Sequence, residues 1–188
     1  MPILKREPDA FPVSLFAMAM PWWVAHVRSR QEKVLARYLL EHGIAFYLPQ
    51  AEKRSRRGCR TIVSYLPLFP GYVFFRGQEA DMSRALRSHV IVNLLAPFDQ
   101  RTFNGELCQL FELQQSSGRL TPYPHLHSGD AVLITDGVFA GYRGVIVRER
   151  SSDRLVVSLS FIEQSVAVDL DRDSVRPQQA RLAAPRNA

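Results

Sequence analysis

Lys53, Arg54, Arg56, Arg57 and Arg60 place five cations in eight residues, with Glu52 the one acid beside them, so residues 51–60 carry a net charge of +4. Charge this dense suits a polyanion. It neutralises phosphates and releases their counterions, and the planar arginine fork adds two-point grip on phosphate or a base edge. Covalent chemistry is poorly served. Cys59 lies among arginines that could activate its thiol, but no histidine is near it in sequence, and Cys108 sits on an apolar helical face. His125 and His127 form an H-x-H with no second pair at metal-ligand spacing. There is no phosphate loop, dinucleotide fingerprint or prominent carboxylate pair. The reading is a binding protein without catalytic residues, cofactor or metal.

Directly after the basic stretch comes "LPLFPGYVFF", residues 66 to 75. As a strand it alternates, sending Phe69, Val73 and Phe75 one way and Leu68, Pro70, Tyr72 and Phe74 the other. A sheet covered by helices on one side needs only one such face. The surplus face must meet further helices of its own domain, as most aromatic stripes do, or a partner, as exposed apolar patches do.

The elements that would position these residues can be read along the chain. "WWVAHVRS" (22–29) is a strand, Ser29 and Glu32 form an S-x-x-E box that opens a helix, and Gly43 closes it. In that helix Val34, Leu35, Tyr38 and Leu39 make the apolar face, while Gln31, Glu32, Arg37 and Glu41 face water. A strand follows at 44–49. Gly58 then turns a hairpin whose return arm starts at Thr61. Next come a helix at 78–88, a strand at 90–95 and a helix within 104–115 carrying Leu107, Leu110 and Phe111. The class is α+β: an antiparallel sheet covered by helices over residues 21–113.

Residues 114–127, "QQSSGRLTPYPHLH", with two prolines, a glycine and several small polar residues, read as a linker. Short strands at 130–135, 143–149, 154–160 and 165–170 then predict a small closed β-barrel over 128–177. Val145, Ile146, Val147, Val156, Val157, Val166 and Val168 are β-branched and disfavour a helical alternative for this region. Residues 1–20 and 178–188 read as loose tails. The apolar run from Phe11 to Val27 is broken by Pro12 and Pro21 and is too short for a bilayer span. A length of 188 residues with 46% hydrophobic residues supports a real core, and the formal charge of +6 favours polyanionic partners.

Three stretches, "WWVAHVRSRQEKVLARYL", "RRGCRTIVSYLPLFPGYVFF" and "HSGDAVLITDGVFAGYRGVIVRE", resemble the NusG family of transcription elongation factors. The first two are similar to its amino-terminal domain and the third to its carboxy-terminal KOW domain, an SH3-like β-barrel. The run at 56–74 is closest to the specialised RfaH-like antiterminators. "FIEQS" (161–165) departs from the Phe-Gly-Arg turn of general members, and "ADMSRALRSHV" lacks the Thr- and Ser-rich contact segment of the best-known antiterminator. The resemblance implies a cytoplasmic monomer whose amino-terminal domain docks the clamp helices of RNA polymerase's largest subunit, with His26, Phe69, Tyr72 and Phe74 as contacts. It places Lys53, Arg54, Arg56, Arg57 and Arg60 on upstream or non-template DNA. It gives Phe139, Phe161 and Ile162 to a barrel partner, either a small-subunit ribosomal protein or a termination factor. The alternatives are a general elongation factor or, in another class, a ribosome- or RNA-binding KOW protein.

Overall fold

The computed structural model describes residues 8–117, 120–123, 132–133, 143–148 and 153–170. The elements run β1 (Ala10–Phe11), β2 (Trp22–Val27), α1 (Glu32–Glu41), β3 (Ala45–Tyr47), β4 (Gln50–Arg57), β5 (Arg60–Pro67), β6 (Tyr72–Arg76), α2 (Glu79–Leu86), β7 (Ile91–Leu95) and α3 (Gln100–Ser117). They continue through β8 (Leu120–Tyr123), β9 (Val132–Leu133), β10 (Arg143–Arg148), β11 (Asp153–Leu159) and β12 (Gln164–Leu170).

The first sheet has the order β1-β3-β6-β2-β7 and is antiparallel throughout. Its pleat sorts the apolar residues into two layers. Ala25, Val27, Phe46, Val73 and Phe75 share a cluster with Leu35, Ala36 and Leu39 of α1 and Ala85 of α2. Trp22, Val24, Ala45, Tyr47 and Phe74 share the other with Phe103, Leu107, Leu110 and Leu113 of α3. Both faces are therefore built for burial, and three helices on two sides supply the cover.

The second sheet has the order β8-β12-β11-β10-β9. The strands at 143–148, 153–159 and 164–170 fall where the sequence places them. Among the described residues the sheet does not close on itself, so a barrel is not seen there. Gly144 earns its place by close approach, because a Cβ there would lie 2.5 Å from the Val156 carbonyl oxygen. Leu120, Leu155, Val157, Leu159 and Val166 join the same apolar cluster as α3, so the two sheets sandwich that helix's apolar residues.

Several expectations are corrected. Residues 1–20 are not wholly a loose tail: within the described residues 8–20, β1 pairs with β3 and Leu15 is fully buried in the α3 layer. The linker begins later than residue 114, because α3 runs to Ser117, and Leu120–Tyr123 is a strand paired with β12. The Ser29–Glu32 box does not form. Glu32 is buried and its carboxylate accepts the Gly71 N–H at 2.7 Å, joining α1 to the turn before β6. Val34, placed on the apolar face, is exposed. Gly43 ends α1 with φ +66°, as its position predicts.

Candidate nucleic-acid and partner interface

The basic residues stand on a two-stranded ribbon. β4 and β5 pair from Gln50↔Pro67 to Arg57↔Arg60, and Gly58 turns the chain with φ +61°. The pair forms a sheet of its own, separate from the five-stranded one. Opposite residues share a face, which puts Arg54 with Val63 and Arg56 with Thr61 on one side, and Lys53 with Ser64 and Ser55 with Ile62 on the other. Lys53, Arg54, Arg56 and Arg60 are exposed, as are Ile62, Val63 and Leu66. Beyond Ala51, which packs against the α3 cluster at the base, neither face has a core beneath it among the described residues. Arg54 is turned onto Glu52 at 2.5 Å, so one cation is partly answered. Lys53, Arg56 and Arg60 have no carboxylate partner among the described residues. Cys59 sits exposed at the tip.

The base of the ribbon is firmly held. The Leu68 N–H donates to the Pro49 carbonyl at 2.8 Å. Gln114 of α3 accepts the Tyr47 hydroxyl at 3.0 Å and donates to the Gln50 carbonyl at 3.2 Å and to Asp9 at 2.9 Å. Asp9 also accepts from the Gln50 side chain at 2.7 Å. Burial, and next the Asp9 charge, push the Tyr47 hydroxyl well above its ordinary pKa, so it remains a donor.

The four predicted polymerase contacts separate by depth. Phe69 and Phe74 are buried and stack edge to face at 5.9 Å, with Phe103 of α3 over Phe74 at 5.8 Å. The expectation of an uncovered apolar face along Leu68–Phe75 is therefore corrected: α3 fills most of it. Phe69 also lies on the Phe74 side rather than with Val73 and Phe75. Strand geometry begins only at Tyr72, after a turn in which Gly71 takes φ +86°, so alternation cannot be counted back through Pro70. The cover stops short at one end. His26 and Tyr72 are register partners with rings 5.2 Å apart; His26 is exposed and Tyr72 half-buried. Asn93, opposite His26 on β7, is exposed too. This open end is where β6 leaves the ribbon.

Of the predicted barrel contacts, Phe139 lies outside the described residues. Phe161 is partly exposed but meets Phe103 at 5.8 Å, and Ile162 packs against the α3 cluster. Beside them the Ser160 N–H and hydroxyl both donate to the Glu106 carboxylate, at 3.2 and 2.7 Å. Burial raises the Glu106 pKa despite these bonds. Sequence reasoning missed this contact, since nothing local to Glu106 announces a partner 54 residues away. His125 and His127 are outside the described residues. Among those described, no group of three or more His, Cys, Asp or Glu could hold a metal ion, and no helix is long and apolar enough to cross a membrane.

Comparison with known proteins gives a family match over part of the chain. Residues 20–99 match the family profile described as "Transcription termination factor nusG". That span takes in β2 through β7, with α1, α2 and the basic ribbon; it begins after β1 and ends before α3. No curated protein sequence matches the chain. A solved structure titled "Domain interaction in Thermotoga maritima NusG" is 18% identical, covering 84% of this chain and 97% of that one with a TM-score of 0.48.

Proposed function

We propose, on the premise that residues 20–99 belong to the NusG family, that this protein rides on transcribing RNA polymerase and reduces pausing or termination. The observation that carries the reading is the exposed basic ribbon, rooted where the α3 cover of the first sheet stops short at His26 and Tyr72. His26 and Tyr72 at that end contact the clamp helices of the largest subunit, while Phe69 and Phe74 support them from below. Lys53, Arg54, Arg56, Arg57 and Arg60 reach upstream or non-template DNA. No bond is made or broken. Binding on both sides of the cleft favours the closed, elongating state of the enzyme.

The second sheet is the KOW half of the reading. Phe161 and Ile162 are engaged with α3, so a ribosomal protein or termination factor that uses them has to compete with that helix. The likeness of the run at 56–74 to the RfaH-like branch favours a specialised antiterminator over a general factor. A genome-wide occupancy map separates the two, with a few operons occupied in the first case and most in the second.

The experiment is retention on core polymerase. His26→Ala/Tyr72→Ala removes side chains at the open end and should abolish retention with the circular dichroism and melting profile kept. Retention equal to wild type would remove the docking assignment. Salt-sensitive binding to bare RNA with no retention on polymerase would favour the ribosome- or RNA-binding alternative.

A further inference from the structure

At the opposite end of the α3 face from His26 and Tyr72, a cleft of about 410 Å³ opens between the segment before β2 and the start of α3. Its walls include Phe16, Met18, Met20, Trp22, Arg76 and Arg101, and no carboxylate is among the lining residues. Arg76 is 5% exposed. Its guanidinium lies 4.6 Å from the centre of the Trp22 ring and donates to the Asn104 side-chain oxygen, which also accepts the Trp22 indole N–H at 3.0 Å. The Arg76 Nε is buried without a hydrogen-bond partner. An amide oxygen and an indole face orient this cation but bring no negative charge to it. A buried charge without a counter-charge is the arrangement proteins avoid, and burial alone holds the Arg76 pKa below its ordinary value.

Arg101, exposed at the rim, is a second arginine lining the same cleft. It stands in the first turn of α3, whose amino end adds a partial positive charge. Asp99 is the nearby acid: it caps that turn, accepting the Arg101 and Thr102 N–H groups at 3.1 and 2.9 Å, and its charge also acts on Arg101. The rest of the wall joins Phe16, Met18 and Met20 to Ala19, Pro21, Gln100 and Asn104; its aromatic and thioether part suits a flat, polarizable group. Two arginine forks suit a doubly charged phosphate, and the volume suits a small ligand.

We propose that this cleft binds a free organic phosphate of mononucleotide size, its phosphate on Arg76 and Arg101 and its ring against Phe16, Met18 and Met20. The site is separate from the ribbon, which leaves the far end of the sheet.

The test is titration of the full chain with uridine monophosphate, followed by NMR at the two tryptophan indole N–H groups. Trp22 reports the cleft, and Trp23, whose indole donates to the Gly77 carbonyl at 2.9 Å, is the internal control. A saturable shift confined to Trp22 is expected. Uridine and inorganic phosphate should each bind about tenfold more weakly or worse, for each lacks half of the recognition. Arg101→Ala, on the exposed rim, should weaken uridine monophosphate about tenfold with the rest of the spectrum unchanged, and Arg76→Met should abolish the shift. Absence of a saturable Trp22 shift in wild type would overturn the proposal. So would undiminished binding by Arg101→Ala, equal binding of uridine or inorganic phosphate, or tighter binding of a 5′-phosphorylated oligonucleotide than of the mononucleotide.

Discussion

The ribbon β4–β5 and the strand β6 are joined by only the short turn 68–71, yet they obey opposite rules. Along the ribbon both faces are wet: Lys53, Arg54, Arg56 and Arg60 are exposed, and so are Ile62 and Val63. In β6 both faces are dry beyond Tyr72, with Val73 and Phe75 under α1 and α2 and Phe74 under α3. The difference lies in what each segment is paired with. A lone two-stranded pair gains little from burial and holds its shape through its ladder and its anchored base. β6 is the centre of a five-stranded sheet and is covered twice. The ribbon is thus free to present charge outward, while β6 fixes where it points.

The sharpest way to break this comparison is by stability. Phe74→Ala should cost about 3–5 kcal/mol, the usual range for a buried phenylalanine, measured by denaturant unfolding. Ile62→Ala and Val63→Ala, on the bare ribbon, should each stay within about 0.5 kcal/mol. A surface-sized loss at Phe74 would mean that α3 does not cover it. For the same reason Phe74→Ala is a poor probe of polymerase docking, since lost retention would report lost folding.

Next in size is charge. Arg56→Ala/Arg57→Ala/Arg60→Ala should lower the affinity for duplex DNA, and should reduce the slope of log affinity against log salt by roughly 0.9 for each phosphate contact removed. The melting temperature should stay unchanged. A full salt slope in the triple variant would show that the ribbon does not hold the phosphates.

The smallest effect concerns the second sheet. Burial raises the Glu106 pKa in the folded chain, against the two Ser160 hydrogen bonds that lower it, so the carboxyl binds its proton more tightly folded than unfolded. Its contribution to stability is therefore present below the ordinary carboxylate range and is lost as pH rises through the raised value. Denaturant unfolding across that range should show this part of the stability fading with rising pH. Glu106→Gln should flatten the dependence. A Glu106-dependent stability that grows with pH would reverse the sign and refute it.

What the sequence made legible followed local rules. Gly58 marked the hairpin turn, Gly43 the end of α1, and the β-branched run the strands of 143–170. What it hid depended on partners distant along the chain. The two faces of β6 could be counted from alternation, but that the second was filled by Phe103 and Leu107 could not. Glu32 looked like half of a local cap, while its acceptor role went to Gly71. Residues 8–20 looked loose because Pro12 and the acids before it masked Leu15 and Phe16. The early start of α3 did leave a signal: Asp99 followed by Thr102, whose N–H and hydroxyl both donate to it. The Trp22–Arg76 pair left none, since only strand register brings residues 54 positions apart face to face.

The central claim is that the ribbon reaches DNA on transcribing polymerase, and its tip offers a direct test. Cys59 is exposed there, and Cys108 can be removed as Cys108→Ser. A photo-crosslinker on Cys59 in an assembled elongation complex should join to upstream or non-template DNA, and the product should disappear when His26→Ala/Tyr72→Ala abolishes docking. Crosslinks to polymerase protein alone, or DNA crosslinks that survive loss of docking, would contradict the account.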